Sequence, residues 1–334
     1  MSGVGDVARV AVRNAVLIAA LVVCLVFTLL SDRFLTLTNL ENIAVQASVV
    51  AIVAVGMTFV ILTAGIDLSV GAIIFLAAAV GTELLKTSLP AGVVGLGIVA
   101  TATLLGCVNG AAVGRFAINP LIVTLATMSL FRGIAGRLTD LQRIQVPDRM
   151  RGLGTNSWLG IPAPVFVTLA VVAIGHLIYK RTLFGRYTQA IGANAEAARE
   201  LGLPVKRVTV GAYALTGLFT GIAAMVLIGQ LGSVEPSTGN GMELTVITAV
   251  VLGGTSLTGG RGSVWGALLG AVVLTVVGNG LVLVGASPYI FDIVRAAVLI
   301  VAVSADAVQR RALSIQALSA GLRAARPGGG SPAR

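Results

Sequence analysis

Long stretches without Asp, Glu, Lys or Arg alternate with short polar segments along the whole chain. The stretches cover residues 14–30, 42–66, 68–82, 87–114, 116–131, 152–179, 208–234, 244–260, 262–291 and 296–305. We extend the last of them through Arg295 to about residue 288 to reach the length of a span. A helix needs about 20 residues to cross the hydrocarbon core of a bilayer. One helix per stretch predicts ten membrane-spanning helices, or as few as eight if the shorter stretches are re-entrant or broken.

Composition supports an all-α, polytopic integral membrane protein. Of the 334 residues, 56% are hydrophobic and 11% are charged, against about 25% charged residues in an average soluble domain. The mean hydropathy of +0.98 applies to the whole length and excludes an ordinary soluble enzyme. Glycines recur every four residues at 106, 110 and 114 and at 262, 266 and 270, which predicts closely packed helices.

The distribution of charge predicts the orientation in the membrane. The net charge of +10 is scattered between apolar stretches rather than gathered on one face with aromatic residues, which excludes nucleic-acid binding. The first stretch follows Arg9 and Arg13 and lacks a small-residue cleavage site, so we expect an uncleaved first helix. Fifteen cations fall on segments predicted inside and six on segments predicted outside, so both termini are predicted to be cytoplasmic.

This orientation divides the chain into a short N-terminal segment (1–13), a transmembrane domain (14–308) and a largely disordered cytoplasmic tail (309–334). Residues 138–162 form the longest predicted outside loop. Residues 180–208 form the longest predicted inside loop between spans. Both exceed the usual connection length, which is typical of functional loops.

The inside loop contains a short predicted helix over residues 195–201. Asn194 is a favourable N-cap and Gly202 suits the position that follows the helix. Two turns of helix are marginal in water, so this helix requires a surface to pack against. Ala197 and Leu201 are four residues apart and form its predicted apolar face. That face could pack on the membrane domain of the same chain or on a cytoplasmic partner.

A glycine-flanked break at residues 65–71 interrupts the apolar stretch and contains Asp67. An ionisable residue within reach of the membrane suggests function. Asp67 could instead only cap the helix that follows it. We expect its charge to pair with Arg115 or Arg261, so that the Asp67→Asn substitution would reduce transport and a charge swap would restore it.

Further polar residues at or near the spans are candidates for a substrate pathway or gate. Together with Asp67 they are Ser69, Asn109, Asn119, Thr124, Thr127 and Thr255. The glycine-rich segment 253–263 has the glycine spacing of a phosphate loop but lacks the following Lys-Ser or Lys-Thr. No metal-ligand spacing, nucleophile motif or carboxylate pair is present in the sequence, so this chain is predicted to bind no cofactor and not to be an enzyme.

Four motifs resemble the permease subunits of ABC importers for monosaccharides, of the ribose, xylose and galactose branch. They are GIDLSVGA (65–72), NPLIVTLATMSLFRGIA (119–135), FGRYTQAIGANAEAARELGL (184–203) and VVLGGTSLTGGRGSVWGALLGA (250–271). The resemblance implies a sugar-translocating subunit in the inner membrane. It also implies a second permease copy, usually as a homodimer, a periplasmic sugar-binding protein, and separate cytoplasmic subunits that use ATP and magnesium.

The same resemblance assigns residues 184–203 to an ATPase-coupling loop. The residues concerned are Gly192, Asn194, Glu196, Ala197, Ala198, Leu201 and Gly202. Charging this helix, for example by Ala198→Asp, is expected to uncouple ATP hydrolysis from transport while the protein still inserts. One departure from the family pattern is Glu200-Leu201-Gly202-Leu203, where members often have Ser-Gly-Ile.

Two other classes remain as alternatives. An ion-coupled secondary transporter of a small polar solute would need ionisable groups inside the membrane. The candidates for that role are Asp67, Arg132, Glu243, Asp292 and Arg295. An intramembrane enzyme is disfavoured because the sequence has no catalytic constellation.

Overall fold

The computed structural model describes residues 15–324, and describes the side chains of 18–307 except residue 288. Within this range the chain forms thirteen helices and four two-residue strands. The first five helices are α1 (Ala15–Leu30), α2 (Leu37–Leu62), α3 (Val70–Leu85), α4 (Ala91–Gly114) and α5 (Pro120–Thr139). The predicted N-terminal segment 1–13 lies outside the described residues.

The second half of the chain begins with short elements and continues with helices. The short elements are β1 (Ile144–Gln145), α6 (Asp148–Thr155), β2 (Ser157–Trp158) and β3 (Ile161–Pro162). They are followed by α7 (Ala163–Arg181), α8 (Leu183–Ala193), α9 (Ala195–Glu200), α10 (Val205–Leu231), β4 (Ser233–Val234), α11 (Met242–Leu252), α12 (Val264–Leu283) and α13 (Pro288–Ala324).

Six of the described helices are long and apolar enough to cross a membrane, namely α2, α4, α5, α7, α10 and α12. Helices α1, α3 and α11 are apolar but shorter. Each apolar stretch of the sequence overlaps one of these nine helices or α13, so the helical membrane class is confirmed. Helix α13 continues to Ala324; residues 325–334 lie outside the described part, and the disorder expected for the tail stays a prediction.

Helices α2, α3 and α10 form the centre of the molecule, where most of their residues are buried. Glycine allows α4 to approach α10 at backbone distance. A Cβ atom on Gly110 would lie 2.9 Å from Val210 Cα, and one on Gly106 would overlap the carbonyl oxygen of Tyr213. The 262–270 glycines play the same part between α12 and α11, because a Cβ on Gly270 would overlap the carbonyl oxygen of Ala249. The prediction that both glycine ridges serve packing is confirmed.

The segment between α5 and α7, expected as a long loop, is an ordered layer at one end of the molecule. Strand β1 pairs antiparallel with β4, and β2 with β3 form a hairpin. Helix α6 lies against the end of α10, where Gly154 touches the backbone of Gly229 and Gln230. This layer therefore joins the ends of α5, α7 and α10 that the sequence predicts to lie outside.

Candidate functional site

The break between α2 and α3 lies inside the protein rather than in an exposed turn. Helix α2 ends at Leu62 and α3 begins at Val70. Ala64 adopts a left-handed conformation with φ of 59°, which turns the chain sharply. Asp67 and Ser69 are completely buried. The seven residues that interrupt the helical path therefore bring polar groups into the apolar centre.

Hydrogen bonds organise this break around Asp67. Its Oδ1 accepts from the backbone N–H of Ser69 at 2.9 Å and from the Ser69 hydroxyl at 2.6 Å. The Asn109 amide of α4 donates to Ser69 Oγ at 2.7 Å. Ser69 is the residue that precedes α3, and no side chain forms a cap hydrogen bond with the start of this helix. Asp67 therefore fixes the turn before α3, and its capping of the helix itself stays a prediction.

Two more side chains hold the backbone of the break from other helices. The Tyr213 hydroxyl of α10 donates to the Ile66 carbonyl oxygen at 3.1 Å. The Thr124 hydroxyl of α5 donates to the Pro120 carbonyl oxygen at 2.8 Å and also lies 3.5 Å from the Ile66 oxygen. The structure thus brings together four predicted residues, Asp67, Ser69, Asn109 and Thr124, with Tyr213. We call these five residues the Asp67 cluster. Sequence reasoning missed Tyr213; the signal available was that a buried tyrosine hydroxyl needs a partner.

The expected pairing of Asp67 with Arg115 or Arg261 is wrong. Both arginines are exposed, whereas Asp67 is completely buried. No ion pair joins Asp67 to a lysine or arginine in the described range. A charge swap between Asp67 and either arginine is therefore not expected to restore function.

Three further pathway candidates have local roles outside the Asp67 cluster. Asn119 caps α5, since its Oδ1 accepts from Leu121 N at 2.9 Å. Thr127 donates to the Thr124 carbonyl one turn earlier at 3.3 Å. Thr255 accepts from Ser263 N at 3.3 Å and closes the glycine-rich segment before α12.

The short helix predicted after Asn194 forms in the structure. Helix α9 begins after Asn194, whose Oδ1 accepts from the N–H groups of Glu196 and Ala197, both at 3.0 Å. Gly202 adopts φ of 76°, the left-handed conformation that ends a helix. The N-cap and the C-terminal glycine of this helix are confirmed.

The apolar face expected for α9 requires a correction. Ala198 is only 3% exposed and packs with Ile191 and Val208 of the same chain, whereas Leu201 is 80% exposed. Ala198 therefore anchors the helix to its own membrane domain, and Leu201 points away from it. The proposal that Ala198→Asp would act on a partner is wrong, because the carboxylate would be buried inside this chain.

Gly192 connects this region to the end of α2. Gly260 N–H donates to the Leu62 carbonyl oxygen at 3.0 Å, which satisfies one of the carbonyl groups left free at a helix end. Gly192 lies so close that a Cβ atom would overlap both that oxygen and Gly260 N. The end of α2, the segment 184–203 and the glycine-rich segment 253–263 therefore meet at one place, which we call the Gly192 seam.

The other ionisable residues in the spans do not join the Asp67 cluster. Arg295 pairs with Asp292 at 2.8 Å and donates to the Gly241 carbonyl oxygen at 3.1 Å, so it holds the start of α11. One nitrogen of Arg132 and one oxygen of Glu243 are buried without a hydrogen-bond partner among the described residues.

These features define a polytopic helical membrane protein with a polar break at its centre and a short docked helix at one end. Residues 39–303 match the family described as "Branched-chain amino acid transport system / permease component". The chain belongs to this family of permease components.

Individual relatives share most of their length with this chain. The ribose import permease protein RbsC of Haemophilus influenzae is 37% identical over 306 residues, which cover 90% of this chain and 95% of the relative. RbsC of Escherichia coli K12 is 39% identical over 295 residues, covering 87% and 92%. The L-arabinose ABC transporter permease protein AraH of Azospirillum brasilense is 33% identical over 317 residues, covering 93% of each chain. The resemblance to monosaccharide importer permeases is confirmed.

Proposed function

We propose that this chain is the translocation subunit of an ATP-driven importer that carries a pentose or related monosaccharide across the inner membrane. The observation that carries the proposal is the identity of 37–39% with ribose permeases along 92–95% of their length. The relatives are permeases, which move a solute and do not transform it. This chain is accordingly a transport subunit and not an enzyme.

Helix α9 is the proposed docking site for a separate ATPase subunit. Ala198 packs this helix against the rest of the chain, hydrogen bonds cap both of its ends, and the Leu201 side chain is exposed. The Gly192 seam connects the base of this region to the end of α2 and hence to the Asp67 break. ATP and magnesium belong to the partner, because this chain lacks the lysine and hydroxyl of a phosphate loop.

A second copy of the chain and a sugar-binding protein complete the proposed importer. Helix α5 supports the pairing of two copies, since Ala126, Ser129 and Gly133 form an exposed face of small residues. Such faces allow membrane helices to approach closely. The layer of β1, α6, β2 and β3 lies at the end predicted outside, where a periplasmic binding protein would deliver its sugar.

The proposed topology has ten spans with both termini in the cytoplasm. Thr155 and Ala195 are both exposed and lie on the outside layer and the coupling loop, respectively. With Cys24 and Cys107 replaced by serine, an impermeant thiol reagent on intact cells is expected to label Thr155→Cys and to spare Ala195→Cys until the cells are permeabilised. Labelling of Ala195→Cys in intact cells would contradict the orientation.

Transport assays distinguish the ATP-driven importer from an ion-coupled transporter. The unpartnered buried atoms of Arg132 and Glu243 are the observation that favours the alternative. We expect reconstituted protein to take up ribose or arabinose only with its ATPase and binding protein present. Loss of uptake when the ATPase is inactivated, with no loss on dissipating the ion gradients, supports the importer. The family description makes leucine the control substrate, and uptake of leucine instead of a pentose would overturn the proposed sugar class.

A further inference from the structure

One of the two carboxyl oxygens of Asp67 has no hydrogen-bond donor among the described residues. Oδ1 of Asp67 has its two donors from Ser69, but Oδ2 is buried without a partner. The Asn109 Oδ1 atom is likewise buried without a partner, and the Asn109 amide and the Asp67 carboxyl both form a hydrogen bond with the Ser69 hydroxyl. An ionised carboxylate and an amide oxygen can only accept hydrogen bonds. The two acceptors therefore belong to side chains that share Ser69, and no group among the described residues donates to either of them.

The negative charge of an ionised Asp67 would also lack a partner. The groups that face the break from α4, α5 and α10 are the Asn109 amide, the Thr124 hydroxyl and the Tyr213 phenol. Tyr213 is the titratable group among them and is itself uncharged when it donates to Ile66. Burial of an uncompensated carboxylate in an apolar interior is strongly unfavourable.

We propose that Asp67 binds a proton on Oδ2 throughout the life of the folded protein and donates it to the neighbouring Asn109 oxygen. One proton supplies the missing donor and removes the uncompensated charge. A water molecule would supply donors but leave the charge. A hard cation would remove the charge but requires six or more oxygen ligands, and the side chains described at the break offer two oxygens that are free of hydrogen bonds.

If its proton is permanent, Asp67 has a structural role in the break and does not take part in ion transport. Asp67 and Asn109 are completely buried, so the proton has no open path to either side of the membrane. The inference is independent of the proposed substrate and of the ATPase. It does exclude Asp67 as the residue that would take up and release a proton in an ion-coupled transporter.

Infrared spectroscopy of the purified full-length protein tests the proposal directly. A protonated carboxyl has a carbonyl stretch separate from the amide bands, and isotope-labelled aspartate and heavy water shift it. We expect this band in wild-type protein at neutral and at mildly alkaline pH. Absence of the band from wild-type protein would overturn the proposal, and this measurement requires no variant to fold.

Two substitutions assign the band to this site. Asn109→Ala is expected to move its frequency, because the proton loses its acceptor, and Asp67→Asn is expected to abolish it. Asp140→Asn is the matched control, since Asp140 lies on the surface with its side chain 77% exposed, and the band should not change. A band that disappears in the control and persists in Asp67→Asn would contradict the assignment.

The thermal stability of the Asp67→Asn variant is a second, independent test of the proposal. The new amide group can donate where the acid donates, and its oxygen can accept from Ser69 as before. We expect a melting temperature within about 2 °C of wild type, a shift that corresponds to a small change in stability. Asp67→Leu, which removes the acceptor for Ser69, should melt clearly lower. Equal destabilisation by both variants would show that the negative charge itself is required.

Discussion

Replacement of Gly192 by alanine is expected to destabilise the protein severely. The new Cβ atom would overlap the Leu62 carbonyl oxygen and Gly260 N, so it would separate the two groups that form the 3.0 Å hydrogen bond at the end of α2. Overpacking costs about 1–3 kcal/mol and a lost buried hydrogen bond about another 1–3 kcal/mol. A loss of this size is a large part of the 5–15 kcal/mol that stabilises a typical protein, to order of magnitude. Thermal unfolding of the purified protein measures it.

Gly92→Ala is the matched control for this experiment. Gly92 lies in α4, and a Cβ atom there would meet no atom within 4 Å. Alanine is the better helix former by up to about 1 kcal/mol, so the control should keep or slightly raise the melting temperature. If Gly192→Ala melted at the same temperature as Gly92→Ala, the close contact at the Gly192 seam would not exist.

The helical membrane class could be predicted because it depends on properties local to each segment. The break at 65–71 is a clear case, since two glycines and an aspartate in an apolar stretch interrupt a helix wherever the segment lies. The cap of α9 is another, because Asn194 bonds to amides only two and three residues away. Such interactions are determined within one turn of the chain.

The partners of the break could not be predicted, because distant segments supply them. Tyr213 is 147 residues from Ile66 in sequence, and the bond between them exists only once α10 packs beside α2. Charge alone suggested the arginines at 115 and 261 for Asp67. An amide and a hydroxyl are there instead, since they enter an apolar interior at a lower desolvation cost than a guanidinium group.

The buried face of α9 could not be predicted for a different reason. A helix of two turns contains too few residues for its periodicity to separate one face from another. The spacing of Ala197 and Leu201 indicated one apolar face, whereas the contacts of Ala198 with Ile191 and Val208 determine which side is buried. Because Ala198 packs inside the chain and Leu201 is exposed, we expect a charge at position 201, and not at position 198, to act on the docking of the ATPase.

Substitution of Leu201 by aspartate is expected to abolish coupling to the ATPase while the permease still folds. Leu201 is 80% exposed, so within this chain the carboxylate would remain in water and cost little. In the proposed complex the leucine is buried, which contributes about 2 kcal/mol, and the aspartate would add the cost of burying a charge. Because 1.4 kcal/mol is a factor of ten in affinity, docking should weaken by roughly 30-fold or more.

Two further variants separate docking from folding in this experiment. Ala198→Asp places the carboxylate between Ile191 and Val208, so it should lower the melting temperature of the permease even without its partner. Leu201→Met keeps an apolar side chain of similar volume and should retain the ATPase and uptake. We therefore expect Leu201→Asp to keep the wild-type melting temperature, to lose the ATPase on co-purification and to lose sugar uptake. Wild-type retention of the ATPase by Leu201→Asp would show that the exposed end of α9 is not the docking surface, since a carboxylate buried in that contact would weaken it.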